Sequence, residues 1–561
     1  MDPVKLITVE EMRLLEREAN EGGLGYPQMM ETAGHRTAQA IHERLAVEDK
    51  NIIVLVGPGN NGGDGLVAAH HLHQMGAKVT CYLWKRNPEG DANFDRVRAD
   101  GIAITWAAQD TGFDALRALL SGANLVVDSL LGIGVTRPIG GSLKAILETL
   151  RQSLDGTGAS NNLINSIPDP DRQPAARPLL VAVDCPTGLD CDTGTLDPAA
   201  VPADITVTFA YPKIGLFRSP GADAVGDLVV ADIGVPAELA GEVRLELATP
   251  HQVRTCLPER PQSAHKGTFG RALIVAGSVN YVGAAVLAGA GATRVGAGLV
   301  TMGLPAPILA PVAGRLTEAT YLLLPSELGV IAASAVDLLC EKMAGYHALL
   351  LGPGLTQEAE AVAFVQSLLG LDRSLSKGRL GFVSAPQGTA SDRPALLPLV
   401  VDADALNALA ASGAQWWTAL PPDTILTPHP GEMARLIGAG TTSKDVQADR
   451  WGISRAMAAQ WGAVVVLKGA FTVVAAPDGR QVVLPFANPG LATAGSGDVL
   501  AGAIVGLRAQ GVPAFEAALA GAYLHGLAGE LARQDLGDMG MVAGDLPSRL
   551  PQAIRRVRQY R

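Results

Sequence analysis

A chain of 561 residues with a net charge of −11 is too long for one ordinary hydrophobic core and too acidic for a general nucleic-acid binder. Hydrophobic residues at 48% and charged ones at 18% describe a compact water-soluble protein, and aromatics at 4% leave little surface for base stacking. The five cysteines (Cys81, Cys185, Cys191, Cys256, Cys340) are odd in number, scattered and without a CxxC pair, so neither a disulfide framework nor a zinc site is indicated and a reducing cytoplasm fits best.

The first residues lack a basic segment followed by a long apolar core, so no secretory signal is expected. Thr8 and Glu11 have capping-box spacing and open a first helix, and Met30 to Leu45 repeats apolar residues at helical spacing. Asn51 to Gly57 reads as a strand, followed by the loop GPGNNGGDG and a helical pattern. Gly57, Gly59 and Gly62 satisfy the dinucleotide fingerprint spacing, yet the next strand, KVTCYLW, ends at Lys85-Arg86 and not at an acidic residue for a ribose. A standard dehydrogenase is therefore disfavoured. Asn60, Asn61 and Asp64 load the loop with oxygens that suit a hard cation or a polyol.

Two further strands end in Asp128 and in Asp184 with Thr187 close behind. The carboxyl ends of strands in a doubly wound sheet converge on one crevice, so Asp64, Asp128 and Asp184 are expected to meet there. A polar, breaker-rich insertion separates Leu154 from Arg177, and a domain boundary falls between Val243 and Pro250, dividing the chain into residues 1–243 and 248–561.

The second part begins with HKGTFGRALIVAGS, a strand running to Gly277-Ser278. The uncharged run from Arg271 to Arg294 is long enough to span a bilayer, but its interrupting Gly277, Ser278 and Asn280 favour strand, turn and buried helix. The turn Gly352 to Gly354 and the carboxylate of Asp402 are candidates for a pocket floor, and residues 372–393 form a second loop-like insertion. His429, flanked by prolines, is as compatible with a structural as with a ligand-binding role, and Glu432 opens a helix beside it. VVVLKGAFTVV is expected to form a hairpin with Lys468-Gly469 at its turn, where the lysine is either an exposed turn residue or a cation for a phosphate.

The stretch from Asn488 to Asp498, NPGLATAGSGD, is glycine-rich and runs into an apolar helix. Its glycines allow close backbone approach and the helix turns its positive end to the same spot, which makes an anion hole. Asp498 there is either a helix cap or a base that takes a proton from an attacking hydroxyl, and the glycines favour the base. The same hole would serve a small-molecule kinase using ATP, or a nucleotide sensor without turnover.

Taken together, GNNGGDG, VDSLLGIG and VDCPTG, followed by HKGTFGRALIVAGS, TPHPGE, LKGAFT and NPGLATAGSGDVLAG, resemble the bifunctional NAD(P)HX repair enzymes over nearly the whole chain. The resemblance implies an α/β fold class: an N-terminal Rossmann-like three-layer sandwich carrying an epimerase of hydrated NADH and NADPH, then a C-terminal ribokinase-like α/β domain carrying an ADP-dependent (S)-NAD(P)H-hydrate dehydratase that releases AMP and phosphate. In the epimerase it assigns substrate contacts to Asn60, Asn61, Gly62, Gly63, Asp64, Gly132, Ile133, Gly134, Val135, Thr136, Arg137, Pro138 and Asp184, and potassium to Asn61, Asp128 and Thr187, with Asp184 as catalytic acid/base. In the dehydratase it assigns the hydrate to Gly354, His429 and Asp498, with Asp498 as the base. ADP contacts fall to Lys468, Gly469, Ala470, Phe471 and Thr472, and to Asn488, Pro489, Gly490, Thr493, Gly495, Ser496 and Gly497. Mg2+ would come with the ADP. The partners implied are these small molecules alone, with neither nucleic acid nor membrane, and the chain is expected to be a cytoplasmic homo-oligomer. Thr32 and Ser496 depart from the family's usual Asn and Thr, both conservatively.

Overall fold

The computed structural model describes residues 4–134, 137–155, 177–371 and 395–560. Val135 and Thr136, and almost all of the two insertions, lie outside them. The chain divides after Val243 into two compact units, each built on its own sheet.

The first unit is organised by seven strands: β1 (Asn51–Val56), β2 (Lys78–Leu83), β3 (Ala103–Trp106), β4 (Leu125–Ser129), β5 (Leu179–Val183), β6 (Ile205–Phe209) and β7 (Asp227–Ala231). All are parallel, in the order β3-β2-β1-β4-β5-β6-β7. Nearly continuous burial along β1, β4, β5 and β6 is what a parallel sheet covered on both faces demands. One cover contains Ile41, Leu66 and Leu72, the other Ile146, Leu147 and Leu150. The order reverses between β1 and β4, which opens the crevice where such sheets bind ligands. The capping box at Thr8 and Glu11 forms as expected and starts the helix Val9–Glu21. The second helix runs from Tyr26 to His42, four residues earlier than its apolar period suggests, because Pro27 in its first turn suits an N-terminus.

The second unit contributes β8 (Leu245–Leu247), β9 (Arg271–Val275), β10 (Leu299–Pro305), β11 (Thr320–Leu324), β12 (Ala348–Leu351), β13 (Leu399–Val401), β14 (Ile425–Leu426), β15 (Val464–Leu467), β16 (Val473–Ala475) and β17 (Gln481–Val483). They lie in the order β8-β17-β16-β15-β14-β13-β12-β9-β10-β11. β15 to β11 in this order are parallel, whereas β16 is antiparallel to both its neighbours. Residues 245–247, left between domains by sequence pattern, pair with β17. Here the switch of direction lies between β9 and β12, so the turns at Gly277 and Gly352–Gly354 flank its crevice. The helices Ser496–Ala509 and Val282–Arg294 pack closely side by side on the sheet. Gly291 and Gly502 allow that approach: a Cβ on Gly502 would stand 2.1 Å from the Ala288 carbonyl oxygen. Among the described residues no helix is long and apolar enough to cross a membrane.

Candidate active sites

In the first unit the glycine loop after β1 folds back on the strand ends so tightly that side chains cannot be accommodated. A Cβ on Gly57 would lie 1.8 Å from the Leu130 carbonyl oxygen, and one on Gly62 would lie 2.1 Å from that of Gly57. The helix Asn60–Gln74 begins here with no side-chain cap, and the N–H groups of Asn60 and Asn61 find no protein acceptor among the described residues. Arg86 braces the loop from β2, donating to the carbonyls of Gly57 (3.3 Å) and Gly59 (2.6 Å) while paired to Asp91 at 2.7 Å.

A cleft of about 920 Å³ opens above these turns. Asn60, Asn61, Asp64, Gly132, Ile133, Gly134, Arg137, Pro138 and Asp184 line it, joined by Arg13, Glu16, Trp84 and Lys85. Gly62 and Gly63 do not line it: the inner face of the helix packs Gly62 against Gly57 and Gly63 against Met30. Expected Val135 and Thr136 lie outside the described residues.

Asp184 follows β5 in a left-handed conformation (φ 64°). Its Oδ1 receives the Lys213 ammonium at 2.6 Å and the Thr208 hydroxyl at 3.1 Å. Lys213 is 1% exposed. Burial alone would lower its pKa, but the facing Asp184 carboxylate more than offsets this and leaves it raised. Asp64 shares the cleft, where burial, then Asp184, then Glu16 push its carboxyl well above the usual range. Burial raises Glu16 as well. So Asp64 and Asp184 meet as expected, but Asp128 lies apart from the cleft lining. Its Oδ1 accepts from the Thr187 hydroxyl at 2.7 Å and the Leu130 amide at 3.1 Å, and its Oδ2 from the Thr187 amide at 3.0 Å. Asn61, 8% exposed, keeps both side-chain polar atoms buried without a partner, an arrangement proteins avoid unless a ligand completes it.

The second unit builds its site from β13, β15 and two helix N-termini. Lys468, at the start of the expected hairpin turn, is not an exposed turn residue. Its ammonium lies 2.8 Å from Asp402 Oδ1 and 3.5 Å from Glu432 Oε2, and Arg450 holds the same turn by donating to the carbonyls of Leu467 and Lys468. Burial lowers the Lys468 pKa less than Asp402 and Glu432 raise it. Asp402 also accepts from the Thr427 hydroxyl at 2.7 Å, while its Oδ2 is buried and unpartnered. His429 caps the helix Pro430–Ile437, Nδ1 accepting from the amides of Gly431 and Glu432. That bond keeps Nδ1 unprotonated and leaves Nε2 on a half-exposed ring. Gly354 is left-handed (φ 67°), packed so closely on Tyr281 and Ala284 that a Cβ would stand 2.8 Å from each.

The helix Ser496–Ala509 is capped by Gly495 (φ 91°) with no side-chain bond, so Asp498, in its first turn, is not the cap. Among the described residues the N–H groups of Thr493, Ala494, Gly495 and Gly497 have no protein acceptor, and a Cβ on Gly497 would lie 3.4 Å from the Lys468 ammonium. Free amides and a buried cation thus face one space, as an anion hole requires. Burial, and next the nearby Asp402, push the Asp498 carboxyl up to about 7. His525 anchors the loop from behind, its Nε2 2.9 Å from the Ser496 carbonyl oxygen, and burial lowers its pKa to about 4. Asn488 accepts from the Gly490 amide, and the Thr472 hydroxyl donates to the Gly469 carbonyl.

Residues 27–215 match the family described as YjeF-related protein N-terminus, and residues 272–376 and 387–552 match NAD(P)H-hydrate dehydratase. The bifunctional NAD(P)H-hydrate repair enzyme of Moorella thermoacetica is 39% identical over 99% of this chain and 97% of its own length. The chain belongs to the bifunctional NAD(P)H-hydrate repair enzyme family. The Escherichia coli relative of that name is 31% identical over 97% of this chain and 93% of its own. A Bacillus subtilis ADP/ATP-dependent NAD(P)H-hydrate dehydratase, crystallised with ATP and Mg2+, is 32% identical and aligns with 55% of this chain and 98% of its own at a TM-score of 0.45. The chain is accordingly a bifunctional epimerase and dehydratase of hydrated nicotinamide nucleotides, isomerase in its first unit and lyase in its second.

Of the residues the cleft and anion hole draw together, the sequence pattern missed Arg13, Glu16, Lys213, Arg450 and His525. None lies in a glycine turn or at a strand end carrying a carboxylate, so no local signal marks them.

Proposed function

We propose that the two sites act in series on the hydrate formed when water adds across the C5=C6 bond of the nicotinamide ring. The observation that carries the dehydratase reading is Asp498, set near neutrality beside free amides and the Lys468 ammonium. Asp498 takes the proton of the C6 hydroxyl, whose oxygen attacks the β-phosphorus of ADP, and AMP departs. The free amides and Lys468 stabilise charge spreading onto the transferred group. The ring nitrogen then expels phosphate from C6, and loss of a C5 proton restores the double bond of NADH or NADPH. Gly354 and His429 shape the hydrate pocket, and the turns 468–472 and 488–497 receive ADP.

In the first unit, Asp184 ion-paired to Lys213 and Asp64, whose carboxyl burial and Asp184 push above the usual range, make an acid/base pair. Together they hold and return the proton at the C6 oxygen while that carbon loses and regains its configuration.

The oxygens of Asn61, Asp128 and Thr187 fit a potassium ion, since Asn61 Oδ1 is buried without a donor and the set is oxygen-only. Such an ion would supply fixed positive charge beside the substrate. Mg2+ would accompany the ADP phosphates, whose oxygens are its usual ligands. A homo-oligomer in the cytoplasm is the setting we infer, from the family resemblance and the cysteine usage. Incubation of the full chain with prepared hydrate epimers, with and without ADP, tests the whole reading: NADH absorbance should return only with ADP, from both epimers. Recovery from neither would refute it.

A further inference from the structure

The cleft of the first unit is long, and the acids that line it gather toward one end, with Arg13 beside Glu16 among them. It runs from Trp84 and Lys85, after β2, past the loops after β1 and β4, to Asp184 after β5 and Phe209 at the end of β6. Four strand intervals of ~4.8 Å make this about 19 Å, the reach of an extended dinucleotide. Glu16, Asp64 and Asp184, the acids lining it, influence one another at the β5–β6 end. The unpaired amides of Asn60 and Asn61 lie midway, at the end of β1, where a pyrophosphate would sit between a reacting nicotinamide and an adenosine. The adenosine ribose then falls at the end of β2.

At that end the carboxylate that would receive a free 2′-hydroxyl is missing, and a cation stands in its place. Of the two basic residues there, Arg86 is committed to Asp91 and to the carbonyls of Gly57 and Gly59. Lys85 is exposed, lines the cleft and makes no ion pair among the described residues. Its left-handed backbone (φ 51°) sets its ammonium over the Trp84 ring at 5.2 Å, a placement that directs the charge without neutralising it.

We infer that Lys85 is a specificity-determining residue of the epimerase cleft, pairing with the adenosine 2′-phosphate, so that the first unit prefers hydrated NADPH to hydrated NADH. This rests on the epimerase reading above. A single charge-assisted contact at an exposed site gives a preference of about tenfold. It resides in KM, because the contact is remote from C6 and is made equally in ground and transition states.

The test compares epimerisation of the two R hydrates by the full chain as wild type, Lys85→Asn and Lys85→Arg. Asn tolerates the left-handed backbone, so loss of charge is separated from loss of fold. The wild type should show the higher kcat/KM for the NADPH hydrate through a lower KM, Lys85→Asn should use both alike, and Lys85→Arg should keep the preference. Equal use by the wild type, or a preference that survives in Lys85→Asn, overturns the inference. A calorimetric arm separates it from the activity: 2′-phospho-ADP-ribose should bind more tightly than ADP-ribose, and Lys85→Asn should abolish the difference. That result without hydrate turnover would sink the epimerase reading and keep the phosphate site, whereas equal binding of both probes overturns the site.

Discussion

Replacing Asp498 by Asn should abolish dehydration and stabilise the second unit at the same time. The side chain keeps its size but can no longer take a proton, and loss of a positioned general base costs about 10²–10⁴-fold in rate. The stability effect follows from the same burial. In the unfolded chain Asp498 titrates near 3.8, in the folded one near 7, so between these values the folded state binds more protons and loses stability as pH rises. At about 1.36 kcal/mol per pH unit of separation, the ionised carboxylate costs the folded unit about 4 kcal/mol above pH 7, an upper figure because solvent reaches the loop. Asn removes that cost. Melting of the variant should therefore match the wild type near pH 4 and lie several degrees above it at pH 8, while wild-type dehydration rises through pH 7 to a plateau. Calorimetry across pH and NADH recovery from the S hydrate with saturating ADP read the two effects. Dehydration within threefold of wild type at pH 8, where the wild-type carboxylate is ionised, would remove Asp498 from the mechanism whatever the melting curves show.

Asn61→Ala should raise the potassium concentration needed for half-maximal epimerisation and leave dehydration untouched; unchanged potassium dependence together with higher stability would mean that the buried amide serves no ion. Gly62→Ala drives a Cβ against the Gly57 carbonyl oxygen, and should cost the first unit more than about 3 kcal/mol in urea unfolding, at the upper end of overpacking penalties. Lys213→Met leaves Asp184 without its buried partner and should cost about 3–5 kcal/mol, most of it recovered in the Lys213→Met/Asp184→Asn double variant, which stays inactive. Residues 1–243 expressed alone should fold and epimerise, since their sheet and core are complete without the rest; insolubility at every nearby end point would refute that.

The parts of this protein that were legible in its sequence are those where a few neighbouring residues settle the backbone by themselves. Thr8 and Glu11 satisfy each other's amides across one turn, the valines of 464–467 and 473–474 suit a buried hairpin, and the glycines at 57–62 and 490–497 permit approaches that a Cβ forbids. These local constraints mark both loops and, with the strand-end carboxylates, both crevices. Tertiary structure decided the charges that work there. Lys213 reaches Asp184 across 29 positions and Lys468 reaches Asp402 across 66, because the parallel strands of one sheet bring together ends that are distant in the chain. The same holds for His525 beneath Ser496, and for Glu16, which enters the cleft from a helix that precedes every strand of its sheet. The high pKa of Asp498 is the clearest case. Its cause is desolvation by everything packed around a helix terminus, a property that belongs to no residue of the sequence until the sheet and helices enclose it.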